Sequence, residues 1–398
     1  MTPLTGTSSL TVAVLGTGRM AQIHLKALTA LKAKGLPGTP PGRDTGLQIV
    51  LYGRDPAKVE QLARAFPVQR TYTNLESLWR DPEVQVVDCC LVNSLHFPVL
   101  AQAIDRGWHV FTEKPLTNRL EEAETLLQLA CSRGVHHGIV QNMRFEPGLV
   151  RAREIIRAGE LGRIFHVRGV FGYFVPKRLE NRPAWFYDRE QAGGGIVHDM
   201  MAHFFDLLSD LIGPIADVHC VTGTYFPERE DENGRPFRSE VEDAAAVLVE
   251  FESGAIGDLF ASWVRRKHEE VPFFEIDGEQ GSLLVSFHQL KIQRAEQTPL
   301  FRYDPTAVQP DAMAGWMDIP LVPVDPFEVQ LGQFLAGVLT GQPVRPDWSD
   351  AVRTQQLIER AYASAQCRGK SLRSVANGGR YSLQVGGSRP GGTTRGIT

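Results

Sequence analysis

Short apolar runs alternate with amphipathic segments through the first third of the chain. The runs are rich in Val, Ile and Leu and indicate buried strands, whereas the segments between them carry apolar residues at helical spacing. Strands that alternate with helices in this way predict an α/β fold with a parallel, doubly wound sheet. The predicted strands are residues 10–15, 48–52, 86–92, 110–111 and 135–140, and the predicted helices are residues 22–32, 100–106 and 120–132.

From residue 142 onward, strands become frequent and helices rare, which predicts an α+β domain with a mostly antiparallel sheet. Its predicted strands are residues 164–174, 218–224, 244–251, 255–263, 271–277 and 281–286, and its helices are residues 147–158, 327–339 and 348–366. Loops are expected at residues 35–47, 176–193 and 228–242. We therefore divide the chain into residues 1–141, residues 142–385 and a Gly/Ser/Thr-rich tail, residues 386–398, that we expect to be disordered.

Composition narrows the functions that the chain could have. Its 398 residues suggest two domains, and a formal net charge of −4 gives no electrostatic footprint for nucleic acid. Five cysteines without C-x-x-C spacing argue against a disulfide framework and a zinc site, and fit a reducing cytoplasm. No signal-peptide pattern and no apolar run of membrane length is present. We expect a cytoplasmic protein without a metal ion and without a membrane or nucleic-acid partner.

A glycine-rich turn joins the first predicted strand to the first predicted helix. It follows the pattern G-x-G-x-x-A, formed by Gly16, Thr17, Gly18, Arg19, Met20 and Ala21. The first glycine permits the turn, the second lets the backbone approach a pyrophosphate, and the small last residue keeps the helix close to the sheet. The alternative is a turn that binds nothing, but the strand before it and the helix after it favour a dinucleotide cofactor.

The end of the second predicted strand bears on the choice between NAD and NADP. An acid usually binds the ribose hydroxyls there, whereas this chain has Gly53, with Arg54 and Lys58 nearby. Two cations suit a 2′-phosphate better than a 2′-hydroxyl, so NADP is favoured over NAD. The alternative is that Arg54 is a solvated residue beside a helix that Asp55 caps, and both interpretations can hold together.

A Glu-Lys-Pro sequence follows the strand that ends at Phe111. Ligands of open parallel sheets bind outside the carboxyl ends of the strands, which is where Glu113 and Lys114 are expected to lie. Pro115 ends the strand and disfavours the helical conformation at Lys114. This stretch therefore predicts that Lys114 meets both a cofactor and a substrate.

A second constellation opens a helix that is expected to run to about residue 212. Three glycines, residues 193–195, precede it, and Asp199, His203 and Asp206 follow at i, i+4 and i+7, which places them on one helical face with His198 on another. A histidine can exchange a proton with a hydroxyl near neutral pH, and a carboxylate one turn away can orient it. A surface Asp–His pair without a function is the alternative, against which the glycines argue because they permit close approach by a ligand or another segment.

Taken together, these residues resemble the glucose–fructose oxidoreductase / inositol dehydrogenase (Gfo/Idh/MocA) family from about residue 10 to about residue 375. The matching motifs are Gly16-x-Gly18-x-x-Ala21, Asn93-x-x-His96, Glu113-Lys114-Pro115, Arg144-Phe145-x-Pro147, and three glycines followed by Asp199-x-x-x-His203. The resemblance implies an N-terminal Rossmann domain, and a C-terminal domain with a large open sheet that often forms an oligomer interface, hence a homodimer or homotetramer.

The resemblance also implies NAD(P)-dependent oxidation or reduction of a carbinol carbon in a sugar, cyclitol or related polyol. Lys114 and His203 would be the catalytic acid/base pair, with Asp199 as a catalytic or substrate contact. The expected cofactor contacts are Gly16, Gly18, Arg19, Met20, Ala21, Gly53, Arg54, Lys58, Asn93, His96, Glu113 and Lys114. The expected substrate contacts are Arg144, Trp185, Asp199 and His203.

Two other functions remain open at this stage. Some relatives use the cofactor transiently for glycoside cleavage, which gives no net change in nicotinamide absorbance. A cofactor-binding regulator of similar fold is the other alternative, against which the retention of Lys114, Asp199 and His203 counts. His198, Met200 and Met201 stand where small or aliphatic residues are more usual in the family, so the substrate itself is not predicted.

Overall fold

The computed structural model describes residues 9–38, 46–180, 182–301, 303, 306, 311 and 313–367. The predicted tail at residues 386–398 and part of the predicted loop at residues 35–47 lie outside these residues. No helix in the described part of the chain is long and apolar enough to cross a membrane.

The first domain is a parallel six-stranded sheet of order β3-β2-β1-β4-β5-β6. The order reverses at β1, so the carboxyl ends of β1 and β4 form the crevice where such sheets bind ligands. Its strands are β1 Thr11–Leu15, β2 Gln48–Tyr52, β3 Arg70–Tyr72, β4 Val84–Cys89, β5 His109–Thr112 and β6 His137–Ile139. Its helices are α1 Arg19–Lys34, α2 Pro56–Ala65, α3 Leu75–Leu78, α4 His96–Asp105 and α5 Leu120–Arg133. The prediction of a doubly wound parallel sheet is confirmed.

The second domain is built on an eight-stranded sheet of order β16-β15-β14-β13-β7-β12-β11-β8, antiparallel except between β7 and β12. Its strands are β7 Ile164–Phe174, β8 Ile215–Gly223, β11 Ala244–Phe251, β12 Ile256–Ser262, β13 Val264–Gly278, β14 Gly281–Val285, β15 Leu290–Arg294 and β16 Met317–Asp318. The helices are α6 Pro147–Arg157, α7 Arg189–Ala192, α8 Ala202–Leu211, α9 Pro326–Thr340 and α10 Trp348–Gln366. The mostly antiparallel sheet is therefore confirmed.

Several short elements refine the sequence prediction. Residues 228–242, expected to be a polar loop, contain a two-stranded antiparallel hairpin of β9 Glu228–Glu230 and β10 Pro236–Arg238. A π-helical turn, Val197–Met201, precedes α8. Turns of 3₁₀ helix lie at Asn93–Leu95, Asn142–Phe145, Ala184–Tyr187 and Ala295–Gln297.

The last two helices connect the two domains. Phe334 on α9 packs against Phe111, with ring centroids 5.0 Å apart, and the indole N–H of Trp348 on α10 donates to Gly138 O at 3.0 Å. Leu357 and Ile358, further along α10, join the core of the second domain. Helix α9 thus packs on the first domain and α10 on both, and the division at residue 141 stays a prediction.

Candidate active site

The glycine-rich turn lies at the switch point of the first sheet. Gly16 has φ +123°, and a Cβ there would lie 2.7 Å from Cys90 O, so a side chain is excluded. Gly18 precedes the first turn of α1 without a side-chain cap, and Ala21 is fully buried against the sheet. Arg19 is exposed and Met20 half-buried. Uncapped amides at a helix amino end are suited to a pyrophosphate, so the turn has the form that a dinucleotide requires.

At Gly53, where an acid usually binds the ribose, the side chains of Thr17 and Val59 occupy the space that an acidic side chain would need. A Cβ on Gly53 would lie 2.4 Å from Thr17 Cγ2 and 2.8 Å from Val59 Cγ2, which leaves no room for an aspartate. Arg54 and Lys58 are both exposed beside this turn. The Asp55 carboxylate accepts hydrogen bonds from the amides of residues 57 and 58, which confirms it as the cap of α2.

The structure corrects the predicted role of His96. Its ring is fully buried, and its two nitrogens face backbone oxygens: Nδ1 lies 2.9 Å from Pro115 O, and Nε2 lies 3.1 Å from Leu91 O. Both ring nitrogens are thus taken up by the backbone, and His96 supports the turn that follows Lys114. Asn93 is half-buried, and its amide donates to Ala192 O at 3.0 Å, which links the two domains.

Glu113 is likewise directed into the protein. Its carboxylate accepts from Lys114 N at 3.1 Å and lies 3.2 Å from Nε2 of His24, whose Nδ1 lies 2.8 Å from Asp88. Burial lowers the pKa of His24, but Asp88 and Cys90 outweigh it and hold that pKa well above its usual value. The side-chain atoms of His24, Asp88 and Cys90 that could bind a metal ion lie within 4.8 Å of one another. His24 already contacts both Asp88 and Cys90, however. We assign Glu113 to bracing the backbone of Lys114 instead of to the cofactor.

The side chain of Lys114 reaches across the domain boundary. Its Nζ donates to the Asp199 carboxylate at 2.6 Å and to Asp199 O at 3.0 Å. Arg182 donates to the other carboxylate oxygen at 3.1 Å. Burial raises the pKa of Asp199, but Lys114 and Arg182 outweigh it and hold that pKa well below its usual range. Asp199 is therefore a carboxylate shared by two cations.

The three glycines bring other protein segments close to this turn. A Cβ on Gly194 would lie 1.9 Å from Tyr362 Oη, and one on Gly195 would lie 2.0 Å from Glu242 O. The Glu242 carboxylate accepts from Gly195 N and from Val197 N at 3.1 Å each, and from the Tyr362 hydroxyl at 2.8 Å. These contacts hold the π-helical turn that carries Asp199, a type of turn that is frequent at functional sites.

His203 lies one turn after Asp199 and is buried. Its Nδ1 lies 3.1 Å from Oε1 of Gln141, so Nδ1–H donates and Nε2 keeps its lone pair. Burial, and then the charge of Lys114, lowers the pKa of His203 to about 3, so the ring is neutral at physiological pH. Lys114 and Gln141 also border one small cavity of about 10 Å³. The structure thus joins Lys114 to Asp199 and places His203 within electrostatic reach of both, while their catalytic roles stay a prediction.

Arg144 and Asp206 do not belong to this cluster. Arg144 is buried, and its guanidinium donates to both carboxylate oxygens of Asp206, at 2.6 and 2.7 Å. The groove of about 1460 Å³ that Arg144 borders is not lined by Lys114, Asp199 or His203. We therefore withdraw Arg144 as a substrate contact. Asp206 pairs with Arg144, whereas Asp199 pairs with Lys114 and Arg182, so the structure does not bring Asp206 into the cluster.

Two further predicted residues lie beside the cluster. His198 is buried against Gly193, and burial together with Lys114 lowers its pKa to about 4. Trp185 is half-buried and stacks on Phe186 with ring centroids 4.1 Å apart. Its contact with a substrate stays a prediction.

Comparison with known families identifies both domains. Residues 10–140 match the model described as "Oxidoreductase family, NAD-binding Rossmann fold", and residues 149–284 match the "GFO/IDH/MocA C-terminal domain". The two matches together cover more than half of the 398 residues.

Individual relatives agree with the family models. The D-xylose dehydrogenase of Paenarthrobacter nicotinovorans is 32% identical over 370 residues, which are 89% of this chain and 95% of the relative. The scyllo-inositol 2-dehydrogenase (NAD(+)) of Bacillus subtilis is 29% identical over 69% of this chain and 72% of its own length. A solved levoglucosan dehydrogenase in complex with NADH and L-sorbose has the same fold, with a TM-score of 0.79 and 22% identity over 92% of this chain and 99% of that one. The chain belongs to the Gfo/Idh/MocA family of oxidoreductases.

Proposed function

We propose that this protein is an NAD(P)-dependent dehydrogenase or reductase acting on a carbinol or carbonyl carbon of a sugar, cyclitol or related polyol. The observation that carries the proposal is the 2.6 Å contact between Lys114 Nζ and the Asp199 carboxylate, one helical turn before a neutral His203. Relatives named for D-xylose, levoglucosan and scyllo-inositol support this class of substrate.

The first domain supplies the residues that would hold the cofactor. The turn from Gly16 to Ala21 would receive the pyrophosphate, because Gly16 tolerates no side chain and the first amides of α1 have no side-chain cap. When bound, the nicotinamide accepts or gives a hydride.

The cluster supplies the proton chemistry. His203 presents the Nε2 lone pair, so it can take the hydroxyl proton of an alcohol as the hydride leaves. Lys114 can donate a hydrogen bond to the same oxygen and stabilise its developing negative charge. Asp199 fixes Lys114 by two contacts, to its carboxylate and to its carbonyl.

A substrate screen with two single variants tests this function. Sugars and inositols are offered with each cofactor while the absorbance of the reduced nicotinamide is followed. Lys114→Ala and His203→Ala should each lower kcat about 10²- to 10⁴-fold while cofactor binding stays intact. The double variant should lose less than the product of the two losses, since the residues act as a unit.

The exposed lysine Lys26 on α1 provides the matched control, because Lys26→Ala should turn over at the parental rate. Parental turnover by both Lys114→Ala and His203→Ala would refute the assignment. Glycoside cleavage without any change in absorbance would favour the glycosidase alternative, and cofactor binding without turnover of any substrate would favour a regulator.

We also propose that the cofactor is NADP in preference to NAD. Arg54 and Lys58 are exposed next to the glycine turn, and the site of the usual acid is closed by Thr17 and Val59. Calorimetric titration should show tighter binding of NADP, and Arg54→Ala should weaken NADP about tenfold or more while leaving NAD nearly unchanged.

Arg64, an exposed arginine in the last turn of the same helix α2, is the matched control for this titration. Arg64→Ala should leave both affinities unchanged. Tighter binding of NAD than of NADP, with no response to Arg54→Ala, would overturn the preference.

A further inference from the structure

Arg182 is a cation that the sequence motifs do not single out. It lies in the segment between β7 and α7, and its side chain is 14% exposed. One end of its guanidinium donates to Asp199 Oδ2 at 3.1 Å, and another donates to the Tyr173 hydroxyl at 2.7 Å. Asp199 lies in the π-helical turn and Tyr173 lies in β7, so Arg182 connects these two elements.

Aromatic rings hold this guanidinium in place. Its central carbon lies 4.0 Å from the ring centroid of Trp263 and 4.1 Å from that of Phe186. Arginine stacks on such rings in a planar arrangement that lysine does not reproduce. The direction in which Arg182 donates to Asp199 is thus fixed by packing, and not only by the attraction of the two charges.

The result is an unequal charge balance around Asp199. The two cations, Lys114 and Arg182, share one carboxylate, while His203 beside them is neutral, so the three charged groups sum to +1. A buried pair of Lys114 and Asp199 alone would be neutral. Because Arg182 engages Oδ2, Asp199 can fix the position of Lys114 through Oδ1 without cancelling its charge.

We propose that Arg182 is a positioning residue for the hydride-transfer reaction: by holding Oδ2 of Asp199 it leaves Oδ1 and the backbone oxygen of Asp199 to fix Lys114 for the substrate oxygen. The role assigned to Lys114 rests on the proposed function; the effect of Arg182 on the Lys114 amine does not. Without Arg182, Oδ2 of Asp199 would lose the partner that fixes the orientation of the carboxylate to which Lys114 is bonded.

The first experiment needs neither cofactor nor substrate. The full chain is modified with acetic anhydride at one fixed pH, and the extent of modification of Lys114 relative to the exposed Lys34 is measured by mass spectrometry. Arg182→Met should slow the modification of Lys114 about tenfold or more, because the carboxylate then stabilises one ammonium instead of sharing two cations. Arg182→Lys, which keeps the charge but not the planar stacking, should give a rate between those of the parent and of Arg182→Met.

Arg229 offers a matched control in the same aromatic layer. Arg229 is buried, its guanidinium carbon lies 4.4 Å from the Tyr187 ring centroid, and it pairs with Asp243 at 3.5 Å. Within the described part of the chain it forms no hydrogen bond or ion pair with Asp199. Arg229→Met removes a buried cation and an aromatic stacking contact without touching the site. It should leave the modification of Lys114 at the parental rate.

The second experiment is kinetic. With a substrate found by the screen, Arg182→Met should lower kcat about 10²-fold with little change in cofactor binding, and should move the acid limb of kcat upward by about one to three pH units, since Asp199 then has one cation fewer. The groups that face Asp199 in this titration are Lys114, Arg182, His198 and His203, with Tyr173 and Tyr187 behind Arg182.

The outcomes separate the two proposals. Slower modification of Lys114 in Arg182→Met without turnover of any polyol would uphold the role of Arg182 and refute the proposed substrate class. Equal behaviour of Arg182→Met and Arg229→Met, in modification and in the pH profile, would overturn the role of Arg182. If Arg182→Met does not fold, Arg182→Gln replaces it as the neutral variant, with the same expected results.

Discussion

At the scale of single residues, the tautomer of one histidine decides what the site can do. His203 can take a proton only at a nitrogen that carries no hydrogen, and the contact of Nδ1 with Gln141 leaves Nε2 in that state. Gln141 is itself held, because its backbone N–H donates to Oε1 of Gln330 at 3.2 Å. The amide of Gln141 thus performs for His203 the orienting task that a carboxylate performs in many catalytic pairs.

Gln141→Leu should therefore lower kcat by about 10²-fold with a small change in KM, because the ring of His203 loses the partner that selects its tautomer. Gln141→Glu should retain most of the activity, since a carboxylate accepts the same Nδ1–H. Steady-state kinetics of the two variants, with circular dichroism to verify folding, measures the effect. Equal loss in both variants would contradict this role of the Gln141 oxygen.

The residues that the sequence predicts and those that it misses differ in a physical way. Lys114 and Asp199 follow recognisable signals, a strand end and a glycine-preceded helix, and the structure joins them. Gln141 and Arg182 acquire their roles only through contacts, over sequence separations of 62 and 17 residues. A local sequence pattern does not reveal contacts between residues this far apart. The richness of the loop at residues 176–193 in arginine and aromatic residues is the only sequence feature that points to Arg182.

At the scale of elements, the three glycines at residues 193–195 show that one sequence pattern can fit two different structural causes. The sequence predicts close approach by a ligand or by another chain segment, and the structure selects the segment. Glu242 and Tyr362 occupy the space beside Gly194 and Gly195, and Glu242 accepts the amides at the start of the π-helical turn. The glycines therefore serve the site indirectly, by letting a carboxylate hold the turn that carries Asp199.

Two alanine substitutions at these glycines should therefore lower the free energy of unfolding by unequal amounts. In Gly195→Ala the new Cβ meets the backbone oxygen of Glu242, which cannot move alone, so the free energy of unfolding should fall by about 3 kcal/mol. In Gly194→Ala the Cβ meets the tip of the Tyr362 side chain, which can shift more readily than a backbone oxygen but then strains its bond to Glu242, so the loss should be smaller, about 1 to 2 kcal/mol. Urea denaturation of the two variants compares them, and equal losses would contradict the assignment.

Hydrophobic patterning predicts some helices and strands of this chain well and misses others. Strong periodic segments such as β7, β11 and α10 are predicted almost to the residue. The hairpin of β9 and β10 is missed because its three-residue strands are polar and too short to show a period. The π-helical turn is missed because its sequence is typical of an ordinary helix, and it changes the helical step on which the i, i+7 argument for Asp206 is based.

At the scale of the whole molecule, the eight-stranded sheet leaves large apolar side chains uncovered on one face. Four neighbouring strands, β7, β12, β11 and β8, expose them there: Phe174, Ile256, Phe260, Leu248 and Val221. Leu248 is 58% exposed and Ile256 55% exposed, although both lie in regular strands. These side chains alternate with charged ones such as Asp258 and Arg168, and a sheet face that exposes several large apolar side chains indicates an interaction surface. We propose that a second copy of the chain covers it, giving a homodimer or homotetramer.

Light scattering tests this proposal with charges placed on the sheet. The parent should be a dimer or tetramer, and the double variant Leu248→Glu with Phe260→Glu should dissociate, because two carboxylates per subunit would be buried without partners. Leu300→Glu is the matched control: Leu300 is 81% exposed but lies after β15, outside the sheet, so this variant should keep the parental mass. A parent that is monomeric at all working concentrations would refute the proposal, and dissociation by Leu300→Glu alone would move the interface from the sheet to the loop after β15.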